Sequence, residues 1–259
     1  MSFTEIVTKG IEKIYTEDLD TLQYYLSLFA KKVRGMENAD SLFKARAFFV
    51  PHEDYMKDMF GEGCTDPFLD MYTYGGECVW QNYIVLPISN VAGSIVGFVG
   101  FEPFEKMKSK DPNERSVGHY YRYSRSSVFN RGKYMYFPPK GFEKAVKDGY
   151  ILLVDGVFDM WSLDSCGFNA GCLLGSSLSE EVCFQLRFIE NVFLLQDNDE
   201  AGIKVRERLK KIHPGFKLVT QNIKKDVDDI LKTDYAEEYQ RKLKEAIINK
   251  ADLVLRFKP

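Results

Sequence analysis

The sequence is poor in the residues that build the commonest metal sites. Its three histidines (His52, His119, His213) are scattered, and its five cysteines (Cys64, Cys78, Cys166, Cys172, Cys183) contain no Cys-x-x-Cys pair. Zinc ribbons and fingers need four ligands in close pairs, so no zinc is expected. An odd cysteine count without a signal-peptide pattern argues for free thiols in a reducing cytoplasm. Apolar runs such as Ile151-Leu152-Leu153-Val154 are far too short to cross a bilayer, so no membrane partner is expected. A G-x-x-x-x-G-K-[ST] phosphate loop does not occur, which excludes a fused P-loop motor. Excess positive charge is missing too: 35 basic against 38 acidic side chains leave a net charge of −3. Nucleic-acid proteins are usually more basic, so any such binding must come from a local patch.

What is present is an ordinary globular composition, 45% apolar and 28% charged in 259 residues, enough for one large domain or two small ones. Residues 1–45 read as helical, because Ile11, Ile14, Leu19, Leu22, Leu26 and Phe29 recur at three- to five-residue spacing. From 46 to 148 the chain is rich in Tyr, Phe, Gly and Pro with short strand-like runs, Tyr83–Leu86 and Ile95–Val99, which predicts a mixed α+β subdomain. In 149–225 strands and helices alternate. Strands are expected at Tyr150–Val154, Phe168–Leu174, Val192–Gln196 and Phe216–Thr220. Helices are expected at Phe158–Cys166 with Gly167 as its stop, from a Ser177/Glu180 capping box to Phe188, and at Glu200–Ile212. Short links between them predict an α/β fold, a mostly parallel sheet with helices on both faces. The last segment, 226–259, reads as helix to about residue 255.

Acidic residues fall at three predicted strand ends: Asp155-Gly156-Val157-Phe158-Asp159, Asp197-Asn198-Asp199-Glu200-Ala201-Gly202, and Asp226-Val227-Asp228-Asp229. Ligands of open α/β sheets bind outside the carboxyl ends of the strands, so the fold can gather all three groups. Two carboxylates 4 Å apart repel by about 4 kcal/mol at an effective dielectric near 20. Several of them converging require a cation, and oxygen-only ligands suit Mg²⁺ or Mn²⁺. Taken singly, Asp199 also suits a helix N-cap, Asp159 a first-turn charge favoured by the helix dipole, and Asp226–Asp229 a solvated helix start. Their recurrence in order, each after a strand, favours the metal reading.

At these residues the chain resembles the TOPRIM domain of DnaG-type primases: an acid followed by Gly, an Asp four positions on, and a D-x-D-x-A-G motif at a later strand end. Leu173–Ser177 resembles the L-G-T/S segment, and Asp226–Asp229 the D-P-D stretch. Upstream, Leu86-Pro87-Ile88-Ser89 with Gly93 and Gly97–Gly100 resembles F-P-I-R-D…G…G-F-G-G, and Phe129–Lys133 with Tyr136 resembles F-x-K-G…L-Y-G. The likeness covers residues 80 to 232. It implies a TOPRIM-type, Rossmann-like sheet and Mg²⁺-dependent joining of ribonucleoside triphosphates into short primers on single-stranded DNA. Asp155, Asp159, Asp197 and Asp199 would be catalytic, and Asp155, Asp197, Asp199 and Asp228 would face the metals. A separate replicative helicase or zinc-domain helper would be the partner, and the short form is similar to phage or mobile-element primases acting in a host cytoplasm. Three positions depart from the pattern: Asp155 stands for Glu, Phe101 for Arg, and Val227 for Pro. Asp155 brings its carboxylate about 1.5 Å closer to the backbone than Glu would. A TOPRIM nuclease and a primase-like binding or regulatory protein with impaired chemistry are the alternatives; a topoisomerase would need a separate tyrosine-bearing gate domain.

Between Ser116 and Phe142 there is no acidic residue, while Arg122, Arg125, Arg131, Lys133 and Lys140 alternate with five tyrosines. Cations for phosphates and flat rings for bases are what a single-stranded nucleic-acid groove requires; a tyrosine-rich strand pair with a charged face is the other reading. The resemblance places His119, Tyr120 and Arg131 along the active-site ridge, with Arg122, Arg125 and Lys133 as backbone contacts. Trp80, Trp161 and the cysteines are expected in the core.

Overall fold

The computed structural model describes residues 2–33, 38–65, 71–73, 75–101, 121–123, 133–174, 178–195, 200–221 and 226–256. The chain forms two compact units, Met1–Asn130 and Arg131–Pro259.

The first unit begins with helices α1 (Phe3–Glu17) and α2 (Leu19–Leu28), a π-helical turn (Phe29–Val33) and α3 (Asp40–Lys44). Ser2 caps α1 in a reciprocal box: its hydroxyl accepts from the Glu5 N–H, and Glu5 Oε2 accepts from the Ser2 N–H at 2.6 Å. Of the predicted helical stripe, Ile11, Ile14, Leu22, Leu26 and Phe29 are buried, whereas Leu19 at the start of α2 is 39% exposed. These helices cover an antiparallel sheet in the order β1 (Phe48–Phe49), β2 (Ile84–Ser89), β3 (Ile95–Phe101), β4 (Tyr121–Tyr123). A short helix α4 (Tyr55–Phe60) lies against α1. Gly100 in β3 has a packing reason: a Cβ there would sit 2.6 Å from the buried Trp80 ring. Phe101, where the resemblance has Arg, is fully buried, its ring 6.2 Å from that of Phe29. Burying such a ring is worth roughly 1.5–3 kcal/mol, so this position serves the core of the unit.

The second unit is a six-stranded sheet in the order β10-β9-β8-β6-β7-β5, from β5 (Met135–Tyr136), β6 (Tyr150–Val154), β7 (Ala170–Leu173), β8 (Asn191–Leu194), β9 (Phe216–Gln221) and β10 (Leu253–Leu255). All neighbours run parallel except the β5–β7 pair at one edge. The central strands β6, β7 and β8 are nearly continuous apolar runs because both faces are covered. On one face Ile151, Leu153, Val192 and Leu194 join side chains of α5 (Gly141–Asp148), α7 (Glu180–Leu186) and α8 (Glu200–Ile212) in one buried cluster. The alternate side chains Leu152, Val154 and Phe193 point to the opposite face. There α6 (Val157–Ser165) lies against β6 and β7 and against α9 (Val227–Ile230). This is a Rossmann-like α/β sheet flanked by helices and preceded by an α+β unit, as the sequence predicts.

Three local expectations are corrected. Ser179, not Ser177, caps α7: it is extended (φ −77°, ψ 170°) and its hydroxyl accepts from the Val182 N–H at 3.2 Å, while Ser177 lies outside the described residues. That helix ends at Leu186, and Arg187 and Phe188 close in tighter turns onto Phe184 and Gln185. The stretch 226–255 is not one helix. α9 stops at Ile230, α10 runs Ala236–Asn249, Lys250 turns left-handed at φ 50°, and Leu253–Leu255 pairs in parallel with β9. An unsatisfied sheet edge outweighs helical propensity in so short an apolar run. The helix stop at Gly167 holds, with φ 84° just after the α6 C-cap.

Candidate active site at the strand ends

β6 lies between β7 and β8, so the chain leaves β6 to one side and then returns to the other. This reversal of strand order opens a crevice at the carboxyl end of β6, where open α/β sheets bind their ligands. Asp155 is the first residue beyond β6 and is exposed. On the adjacent strand the Leu195 N–H donates to the Leu153 carbonyl at 2.8 Å. Asp155 and Asp197 therefore each follow this paired rung by two residues in sequence; Asp197 and Asp199 lie outside the described residues.

Gly156 is the N-cap of α6 and Asp159 stands in its first turn. A Cβ on residue 156 would fall 2.3 Å from Asp159 Oδ2, so glycine leaves the space that this carboxylate occupies. Asp159 Oδ1 accepts from the Asp228 N–H at 2.8 Å, across 69 residues of sequence. Asp228 is 4% exposed. Its Oδ1 accepts from the Ser162 hydroxyl at 2.6 Å and its Oδ2 from the Lys232 ammonium at 2.7 Å. Beneath the strand end, the buried Cys172 thiol donates to the Asp155 carbonyl at 2.9 Å. Burial, then the negative charges of Asp155 and Asp159, push that thiol well above the ordinary range. The charge of Asp159 also adds to burial in raising the phenol of Tyr239. Asp155, Asp159 and the start of α9 thus meet at one end of the sheet.

Among the described residues, no group of three or more His, Cys, Asp and Glu side chains is placed to hold a metal ion. Asp155 supplies an exposed carboxylate at the switch point. Asp159 is tied to the α9 backbone, and Asp228 is committed to Ser162 and Lys232.

Of the expected nucleic-acid contacts, Lys133 is half exposed and pairs with Glu181 at 3.1 Å. Arg122 lies in β4 opposite Gly100. His119, Tyr120, Arg125 and Arg131 lie outside the described residues. Sequence reasoning missed Ser162 and Lys232, the two side chains that hold Asp228. The spacing of Asp228 and Lys232, four apart across a short helix, was the available signal for one of them. Among the described residues no helix is long and apolar enough to cross a membrane.

Residues 152–231 match a family described as Toprim-like. A DNA primase of Rickettsia bellii is 31% identical over 136 residues, half of this chain and 20% of the relative. A DNA primase of Thermotoga maritima is 24% identical over 241 residues, 83% of this chain and 41% of the relative. The chain thus spans between about a fifth and two fifths of the curated relatives' length. The RNA polymerase domain of Mycobacterium tuberculosis primase superposes with a TM-score of 0.69 at 15% identity, over 93% of this chain and 82% of that one. The zinc-binding and RNA polymerase domains of Aquifex aeolicus primase give 0.67 at 22% identity, over 96% and 62%. A DnaG primase catalytic domain bound to single-stranded DNA gives 0.67 at 18% identity, over 93% and 80%. Residues 152–231 are thus Toprim-like, and the chain shares the fold of primase catalytic domains.

Proposed function

We propose that this chain is the catalytic core of a primase, a nucleotidyltransferase that joins ribonucleoside triphosphates into short RNA primers on a single-stranded DNA template. One observation carries the reading most: acidic segments from separate parts of the chain meet at the switch point of a sheet shared with primase catalytic cores. The donor set fits a hard divalent cation, because Asp155 offers an exposed carboxylate at the strand end while the buried Cys172 thiol beneath it is protonated and already donates to the Asp155 carbonyl. Asp155, Asp197 and Asp199 would hold Mg²⁺ or Mn²⁺, with Asp228 at the inner margin of the acid set. The bound ions would neutralise charge on the phosphates and on the attacking and leaving oxygens.

The chain's own residues have distinct parts. Asp155 would take up the proton of the attacking 3′-hydroxyl or steady the bound ion. Asp159, fixed by the α9 N–H, would hold the shape of the turn that presents Asp155. Arg122, Arg125, Arg131 and Lys133, with His119 and Tyr120, would guide the template and triphosphate. A replicative helicase or a zinc-bearing helper would supply the choice of start site.

The test is oligoribonucleotide synthesis on a pool of single-stranded templates with Mg²⁺ or Mn²⁺, with and without a cognate helicase. Synthesis should be lost in Asp197→Ala and Asp199→Ala and on chelation. No dinucleotide under any of these conditions would defeat the reading, and cleavage of DNA or RNA without nucleotides would replace it with a nuclease.

A further inference from the structure

Asp228 matches the motif position that the resemblance assigns to a metal, but its surroundings are those of a structural strut. Its side chain is 5% exposed, and each carboxylate oxygen already has a partner: the Ser162 hydroxyl at 2.6 Å and the Lys232 ammonium at 2.7 Å. A buried carboxylate next to an ammonium and a hydroxyl is compensated without any metal. Lys232 is 30% exposed at its side chain, so it reaches Asp228 from the surface and keeps most of its stem covered.

The backbone of the same residue points the other way. Asp228 is the second residue of α9, where an N–H has no partner within the helix. The N-cap, Asp226, makes no side-chain capping bond. Asp159 provides the cap instead, accepting from the Asp228 N–H at 2.8 Å. The other oxygen of Asp159 lies in the space left by Gly156, one residue from Asp155. A continuous path therefore runs from Lys232 and Ser162, through Asp228 and the α9 backbone, to Asp159 and the turn carrying Asp155.

Resting on the primase reading, we propose that Lys232 and Ser162 are positioning residues. They commit Asp228 to an internal charge pair, so that Asp228 serves the site through its N–H on Asp159 and not as a metal ligand. Lys232 is the resident cation of the acidic cluster. It partners one carboxylate whether or not a divalent ion is bound, and keeps α9 in place for the others.

The experiment uses the full chain and Mn²⁺, titrated by the loss of its free electron-spin resonance signal, alongside dinucleotide synthesis and thermal melting. Asp228→Asn should keep Mn²⁺ affinity within about threefold, whereas Asp155→Asn should weaken it roughly tenfold or more. Ser162→Ala and Lys232→Met should lower the turnover rate about tenfold with half-saturation by Mn²⁺ little changed, and Lys232→Arg should recover at least about half of the rate. Asp228→Asn weakening Mn²⁺ binding as much as Asp155→Asn would overturn the proposal by showing a ligand. If the wild type makes no primer, the primase reading fails on its own and melting decides the strut. Lys232→Met should melt about 4 °C or more below wild type, because it leaves a buried carboxylate without its cation, and the Asp228→Asn/Lys232→Met double variant should regain at least half of that. Wild-type melting of Lys232→Met would overturn it.

Discussion

Cys172 lies directly beneath the acidic strand end, its thiol donating to the Asp155 carbonyl while burial and two nearby carboxylates keep it protonated. Cys64 is also buried, and burial first, then Cys78, push its thiol up to about 12. At pH 8 roughly one such thiol in 10⁴ is the reactive thiolate. Ellman's reagent at that pH should therefore label the half-buried Cys78 and Cys166 first, and leave Cys64 and Cys172 untouched until denaturant is added. Peptide mapping that finds Cys172 labelled as fast as Cys166 would contradict the burial described. Gly156 carries a second residue-scale prediction. Gly156→Ala would put a methyl 2.3 Å from Asp159 Oδ2 and displace that carboxylate. On the proposed primase reading, primer synthesis should fall by about tenfold or more, since catalytic geometry tolerates little displacement. Melting should change little, because residue 156 has an ordinary φ of −92°. The acid-Gly pairing was visible in the sequence; that the glycine makes room for the second acid was not, because only the folded turn brings residues 156 and 159 into contact.

Element by element, local pattern was a good guide where the strand or helix is buried and regular. Tyr150–Val154 and Glu200–Ile212 are found with the predicted ends, because a short apolar run and a 3.6-residue stripe are each distinct signals. Boundaries set by a single cap were harder. Ser177 and Ser179 offer the same hydroxyl, and only the backbone path chooses Ser179. Ser179→Ala should cost about 1 kcal/mol, read as a melting decrease of about 2–4 °C; Ser177→Ala should not. The link into β9 is tighter. A Cβ on Gly215 would stand 1.8 Å from the Glu190 backbone carbonyl, which no side-chain rotation relieves. Gly215→Ala should therefore destabilise by roughly 1–3 kcal/mol. Urea unfolding of that variant at the wild-type midpoint would show that the β8–β9 connection is laxer than described.

For the whole molecule, the charge balance sets the terms of nucleic-acid binding. A net charge of −3 gives no overall attraction for a polyanion, so any nucleic-acid binding falls to a local patch, for which the basic stretch between Ser116 and Phe142 is the candidate. If it binds single-stranded DNA, replacing Arg122 or Arg125 by Ala should each reduce the slope of log affinity against log salt by about 0.7, and replacing Lys133 should reduce it by less. Fluorescence anisotropy at several salt concentrations measures this. Lys133→Ala should have the smallest effect, because Glu181 already shares that ammonium. A wild-type slope in every variant would move the binding surface elsewhere.

Composition, period and motif order determined the class of fold, the alternation of buried strands with covering helices, and the placing of acids after strands. These are local properties, written in neighbouring residues. Strand order was decided only in three dimensions: β6 lies between β7 and β8, and a late apolar triplet joins as the far edge strand. So was the fate of each carboxylate. Asp228 finds Ser162 across 66 residues and gives its N–H to Asp159 across 69. Such pairings follow from the packing of α6 on α9, and the spacing of charges along a chain carries no record of which helix will lie against which.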